Sequence, residues 1–289
     1  GGGAWVLAVE LDTAGAAEVV LPVKALAAAG GFAAVEVRTA DASYRLPMSL
    51  LDPEVLAERF GEAPESEWNL TVAIVPVTGP DRERVLEAAE KLGAAPAGDA
   101  LRFEAVVEAN GRAHAYNEFG GVYVERTVTL NQAVDESKTT AARYDPETGT
   151  LVFVPATFRT VDGQTAATIK RNGNSIYVVL EHERSFADLA GHWAAADIEL
   201  LAGKLLLSGT GPDTFEPDQA VTRGEFAVML ARGLGLTANA AASARFRDVE
   251  RNVWYAGAVG AAAEAGLAAG FSDGTFRPQE KITREQIAV

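Results

Sequence analysis

The chain has 289 residues, enough for two or three domains, and its 48% hydrophobic and 22% charged residues exclude an intrinsically disordered composition. Cysteine is absent, which excludes disulfides, thiolate metal sites and a cysteine nucleophile. The formal net charge of −15 argues against indiscriminate binding to nucleic acid or an anionic membrane, and no apolar run is long enough for a spanning helix.

The opening GGG reads as linker, and residues 4–11 (AWVLAVEL) read as a strand. Neither an initiator Met nor a signal-peptide pattern stands there, so the sequence reads as a fragment of a longer protein. VVLPVKALAAAGG predicts a strand end and a short helix closed by Gly30, and AAVEVRTADASYRLP predicts two strands about a turn, the second ended by Pro47. Asp52 as N-cap, Pro53 at the first helical position and Gly61 past the end define a short helix. NLTVAIVPV is a strand, and GPDRERVLEAAEKLG a helix with Gly93 behind it. From about residue 101 the pattern is β. Turns at 147–149, Asp162-Gly163 and Asn172-Gly173 separate runs rich in Val, Thr and aromatics, predicting a four-stranded meander over 140–181.

A repeat follows. PDTFEPDQAVTRGEF (212–226) is nearly copied in DGTFRPQEKITREQI (273–287), with Phe215 and Phe276, Pro217 and Pro278, and Arg223 and Arg284 each 61 residues apart. Upstream, FADLAGHWA (186–194) matches FRDVERNVWYA (246–256). A fixed long period marks a repeated supersecondary unit whose copies bury apolar faces on one another. HWAAADIELLAGKLLLSG predicts a helix with Ile198, Leu201, Ala202 and Leu205 on one face, ending near Gly209. VTRGEFAVMLARGLGL predicts a second, with Phe226, Leu230 and Leu234 on one stripe and Gly235 beyond.

Thr222 with Glu225, and Thr283 with Gln286, have the spacing of a capping box, in which side chain and backbone satisfy each other's orphan groups. The arginines Arg223 and Arg284 are not explained by capping. They sit at the first helical position, where the macrodipole disfavours a cation. Two uses are open: a bidentate fork for a carboxylate or phosphate at the helix N-terminus, or a salt bridge across repeats to Asp213 or Asp273. An arginine serving a ligand could be removed with the fold intact.

These blocks, in this order, resemble S-layer homology modules of bacterial cell-surface proteins, over residues 186–289. The resemblance implies a helical three-fold prism of three modules that docks non-covalently onto an acidic, pyruvylated secondary cell-wall polymer. It assigns polymer contacts to Arg223, Arg284 and Trp193, and to the turn residues Asp213, Thr214, Asp273, Gly274 and Thr275. Only two modules are present and the second stops inside its last helix; the first turn reads GTGPDTF where the second reads GFSDGTF.

Other chemistry is thinly signalled. His114, His182 and His192 have no ligand spacing, and a nucleophile elbow is absent, so neither a metal nor a cofactor is expected. His192 is expected to pack or cap. Trp193 and Trp254 suit stacking on sugars or burial between helices. The expected fold class is α+β: a mixed α/β region (1–98), a β-rich meander (99–184) and all-α modules at 185–241 and 242–289. The expected function is non-enzymatic anchoring of an extracellular, S-layer-type surface protein to wall polysaccharide, with lattice contacts to its own copies. The rival is a polysaccharide-degrading enzyme tethered by the same modules.

Overall fold

The computed structural model describes residues 5–288; residues 1–4, which include the GGG stretch and the first residue of the expected 4–11 strand, and residue 289 lie outside. Contacts divide the chain into two compact units. The first comprises residues up to Glu136, Ala141–Leu151 and Ala156–Glu181; the second comprises Ser137–Thr140, Val152–Pro155 and the chain from His182 on.

The elements run β1 (Trp5–Glu10), β2 (Ala17–Pro22), α1 (Val23–Ala29), β3 (Phe32–Arg38), β4 (Ala42–Pro47), α2 (Pro53–Phe60), β5 (Asn69–Pro76) and α3 (Gly79–Leu92). There follow β6 (Ala95–Pro96), β7 (Leu101–Ala109), β8 (Arg112–Ala115), β9 (Val124–Leu130), β10 (Thr139–Asp145), β11 (Thr150–Val154), β12 (Ala156–Val161), β13 (Gln164–Arg171) and β14 (Ile176–Glu181). The repeats contribute α4 (Ala195–Gly203), α5 (Arg223–Gly233), α6 (Ala256–Glu264) and α7 (Arg284–Ala288).

One sheet has the order β1-β3-β4-β9-β13-β12; the other has β11-β10-β14-β7-β5-β2, with β8 beside β7 and β6 beside β14. β1 and β3 are parallel, while the other pairs along the first sheet are antiparallel. Strict alternation along β7 and β9 puts one face of each inward. Tyr44 from one sheet meets Phe103 from the other edge to face at 5.5 Å. Arg126 is wholly buried beside them, its guanidinium 5.0 Å from the Tyr44 ring and 5.2 Å from Tyr177. It donates to the Asn174 side chain at 2.6 Å and to the carbonyls of Val124 and Arg171. Burial pushes the Tyr44 hydroxyl up to about 12.

The local signals behave as the residues dictate. Asp52 accepts from the Glu54 N–H at 2.9 Å, and Gly61 closes α2 at φ 73°. Asp162 and Gly163 both take positive φ in the two-residue turn between β12 and β13.

Several expectations are corrected. The α+β class with all-α modules is overturned: fourteen strands in two sheets dominate the described residues, helices are few, and each repeat mixes short helices with turns and extended segments. The meander over 140–181 is split, since β10, β11 and β14 join one sheet while β12 and β13 join the other. Pro155, with no N–H, separates β11 from β12. Gly173 has no positive φ; a Cβ there would lie 2.8 Å from the Arg171 guanidinium and 3.1 Å from the Asn117 carbonyl, so close packing selects this glycine. Both sheets also draw strands from either side of residue 98, so that division marks no structural boundary. Finally, the helix expected to reach Gly209 stops at Gly203, where Leu205 turns left-handed at φ 64°.

Candidate functional site: the paired turns of the repeats

Each repeat is organised by a carboxylate that the sequence reading passed over. Asp188 accepts from the Phe215 N–H at 3.0 Å and the Glu216 N–H at 2.7 Å. Asp248 accepts from the Phe276 N–H at 2.7 Å and the Arg277 N–H at 2.8 Å. These bonds hold Glu216 and Arg277 at the same left-handed φ of 59°, a conformation that costs a side-chain-bearing residue about 1 kcal/mol or more. Asp188 is held below the usual carboxylate range, first by the Glu216 N–H. The signal was present as Phe-x-Asp in both FADL and FRDV.

Two glycines make room. A Cβ on Gly209 would lie 2.5 Å from both the Phe186 ring and the Thr214 carbonyl; on Gly270 it would lie 2.5 Å from the Phe246 ring and 2.7 Å from the Thr275 carbonyl. The ring pairs Phe186–Phe215 and Phe246–Phe276 sit at 5.4 and 5.2 Å.

Thr222 Oγ1 accepts from the Glu225 N–H, and the Glu225 carboxylate accepts from the Thr222 N–H at 2.8 Å. Thr283 and Gln286 make the same pair of bonds at 3.2 Å each. The buried face of α5 is Arg223, Gly224, Ala227 and Ala231 rather than the expected Phe226–Leu230–Leu234 stripe. A small residue on α5 lets its backbone approach the extended segment of the second repeat: a Cβ on Gly224 would lie 3.1 Å from the Pro278 carbonyl. Periodicity in bulky residues therefore pointed one residue away from the packed face.

Arg223 takes neither of the expected partners. It is 8% exposed, donates from Nε to the Phe276 carbonyl at 2.8 Å and from Nη2 to the Ala269 carbonyl at 2.9 Å, and stacks on Phe271 and Phe276. Its fork is spent on the backbone of the second repeat, which corrects the expectation of a ligand-facing group or a bridge to Asp213 or Asp273. Arg284, its counterpart, is exposed at the start of α7.

The turn residues differ between repeats. Asp213 and Thr214 are exposed; the Asp213 carbonyl accepts from the Ala187 N–H, and the Thr214 carbonyl from the Thr210 N–H. In the second turn Asp273 Oδ1 accepts from the Thr275 hydroxyl at 2.6 Å and its N–H at 3.0 Å, while Gly274 supplies φ 79°. Asp273 Oδ2 pairs with Arg277 at 3.2 Å and faces Arg247 at 3.9 Å. The Thr275 hydroxyl and N–H, with Arg277, push the Asp273 carboxyl down to about 2.

Trp193 is 89% exposed and Trp254 68% exposed, so neither is buried between helices. His192 lies against Trp193 at 5.7 Å and accepts from the Ala194 N–H through Nδ1. His182 Nδ1 bonds the Gly203 carbonyl, and His114 stacks on Phe60. In the first unit a cleft of about 280 Å³ is lined by Asp41, Asp99, Asn131 and Gln132, among others.

Comparison with known proteins bears on these repeats. The S-layer homology domain model matches residues 185–227 and 245–288. An amylopullulanase of Thermoanaerobacterium thermosulfurigenes is 33% identical over 165 residues, 57% of this chain and 9% of that protein. S-layer protein EA1 of Bacillus anthracis is 32% identical over 106 residues, 36% of this chain and 12% of that protein. A cellulosome-anchoring protein of Acetivibrio thermocellus is 38% identical over 85 residues, 28% and 19% of the two chains. The chain thus spans 9% to 19% of the length of these relatives.

Proposed function

From the premise that the chain carries two S-layer homology domains, we propose that they hold it non-covalently on an acidic secondary wall polymer, with pyruvate ketals on amino sugars supplying the carboxylates. Attachment to the cell wall and an extracellular location follow from the domains themselves. One observation carries the finer reading: two indoles, Trp193 and Trp254, stand in water at the same place in both repeats. Large exposed aromatics repeated at one position suit the apolar faces of sugar rings. Wall sacculi carrying the acidic polymer should retain the chain, and sacculi freed of it by hydrofluoric acid should not. Equal retention on both would overturn the acidic-polymer reading.

The first unit is read as a non-catalytic scaffold that contacts further copies in a surface lattice. A tethered polysaccharide-degrading enzyme is the second reading, favoured by the Asp41–Asp99 cleft and by relatives named for glycan hydrolysis. Release of reducing ends from soluble glucans or xylans, abolished by Asp41→Asn or Asp99→Asn, would establish it in place of the scaffold.

A further inference from the structure

The two turns are flanked by matched hydrogen bonds but differ in charge and at one backbone angle: arginines face carboxylates in the second alone, and Gly274 takes φ 79° where Asp213 has no positive φ. The Ala187 N–H donates to the Asp213 carbonyl at 2.8 Å, as the Arg247 N–H donates to the Gly274 carbonyl at 3.1 Å. Asp188 and Asp248 fix the next segment identically, with Glu216 and Arg277 at the same φ. Side chains at matched positions therefore project from matched supports. Ala187 stands where the second repeat has Arg247, and Glu216 where it has Arg277.

We infer that carboxylate recognition is confined to the second repeat, and that Arg247 and Arg277 are the residues that make it. The inference rests on the acidic-polymer reading above. Arg277 is held in place: its guanidinium lies 3.9 Å from the centre of the Phe271 ring, whose environment Arg223 shares at 4.9 Å, and its Nε donates to the Thr275 hydroxyl. Arg247 is 67% exposed and Arg277 39% exposed, so both guanidiniums keep donors toward solvent. Asp273 already shows the chemistry, because its Oδ2 faces both of them while Thr275 ties down its Oδ1. Glu280 approaches Arg277 at 3.7 Å, so this turn has two cations against two carboxylates, with buried Arg223 beneath Phe271. The first turn presents Asp213 and Glu216 with neither matching cation. Guanidinium forks bind carboxylates in bidentate geometry; the cation at the first turn, Arg184, instead donates to the Pro212 carbonyl.

The test exchanges the two sets of residues in the full chain and measures retention on native and hydrofluoric-acid-extracted sacculi. Arg247→Ala with Arg277→Glu installs the residues the first repeat tolerates, and should weaken retention on native sacculi about tenfold or more per folded molecule. Arg247→Lys with Arg277→Lys should keep part of it. Ala187→Arg with Glu216→Arg should tighten binding to native sacculi and leave extracted sacculi unaffected. A folded Ala/Glu variant that binds like the parent overturns the inference while leaving wall anchoring in place. Should that variant unfold, no gain from the Ala187→Arg, Glu216→Arg exchange would overturn it instead. A parent chain that does not distinguish the two preparations removes the acidic-polymer reading beneath it.

Discussion

Arg223 and Phe276 are 53 residues apart in sequence, yet the arginine Nε donates to the phenylalanine carbonyl at 2.8 Å and its guanidinium lies 4.8 Å from that ring's centre. One side chain therefore joins the start of α5 in the first repeat to the extended segment of the second. Arg223→Ala would take the donor from the buried Phe276 carbonyl and the part-buried Ala269 carbonyl and unstack two rings, and should lower unfolding free energy by about 2–4 kcal/mol. Arg223→Lys should recover part, and Arg284→Ala, at an exposed position, should fall within about 0.5 kcal/mol of the parent. Thermal melts of the three variants decide this; a parent-like melt for Arg223→Ala would return the residue to a ligand role.

The capping boxes separate by context. Thr222→Ala removes the cap of an eleven-residue helix packed on α6 and should cost about 1 kcal/mol in urea denaturation. Thr283→Ala touches the five-residue helix α7, exposed over its described side chains, and should leave the main transition in place.

Close approach fixes Gly270. Its Cβ would sit within 2.7 Å of the Phe246 ring and the Thr275 carbonyl, so Gly270→Ala should cost about 3 kcal/mol through overpacking. Gly274→Ala meets no neighbouring atom and suffers only from its φ of 79°, so it should cost about 1–2 kcal/mol. Melts that rank the two the other way would contradict the packing argument.

The turn carboxylates predict an acid limit. Asp188 and Asp273 are depressed in the folded state, Asp273 to about 2, against an ordinary value of about 3.9. A depressed folded value means stability that is present above about pH 4 and lost as pH falls through about 2. Melting temperature followed from pH 6 to pH 2 should therefore drop across that window, and Asp273→Asn should flatten part of the drop. A slope unchanged in Asp273→Asn would remove its carboxylate from the account.

By itself the sequence determined whatever depends on neighbours in the chain. The 61-residue period is legible as repeated letters, and the two capping boxes, the Asp52–Pro53–Gly61 helix and the Asp162-Gly163 turn rest on groups within a few residues of one another, where residue type fixes the bond or the backbone angle. The tertiary structure decided everything that needs a distant partner. Strand β13 leaves the meander because its partner β9 lies upstream, and β12 follows as its hairpin partner, which no local alternation records. Asp188 and Asp248 act on N–H groups 27 to 29 residues away, and Arg223 on carbonyls 46 and 53 residues away. Only folding puts those groups within bonding reach, because a hydrogen bond acts over about 3 Å of space whatever the length of chain between its ends.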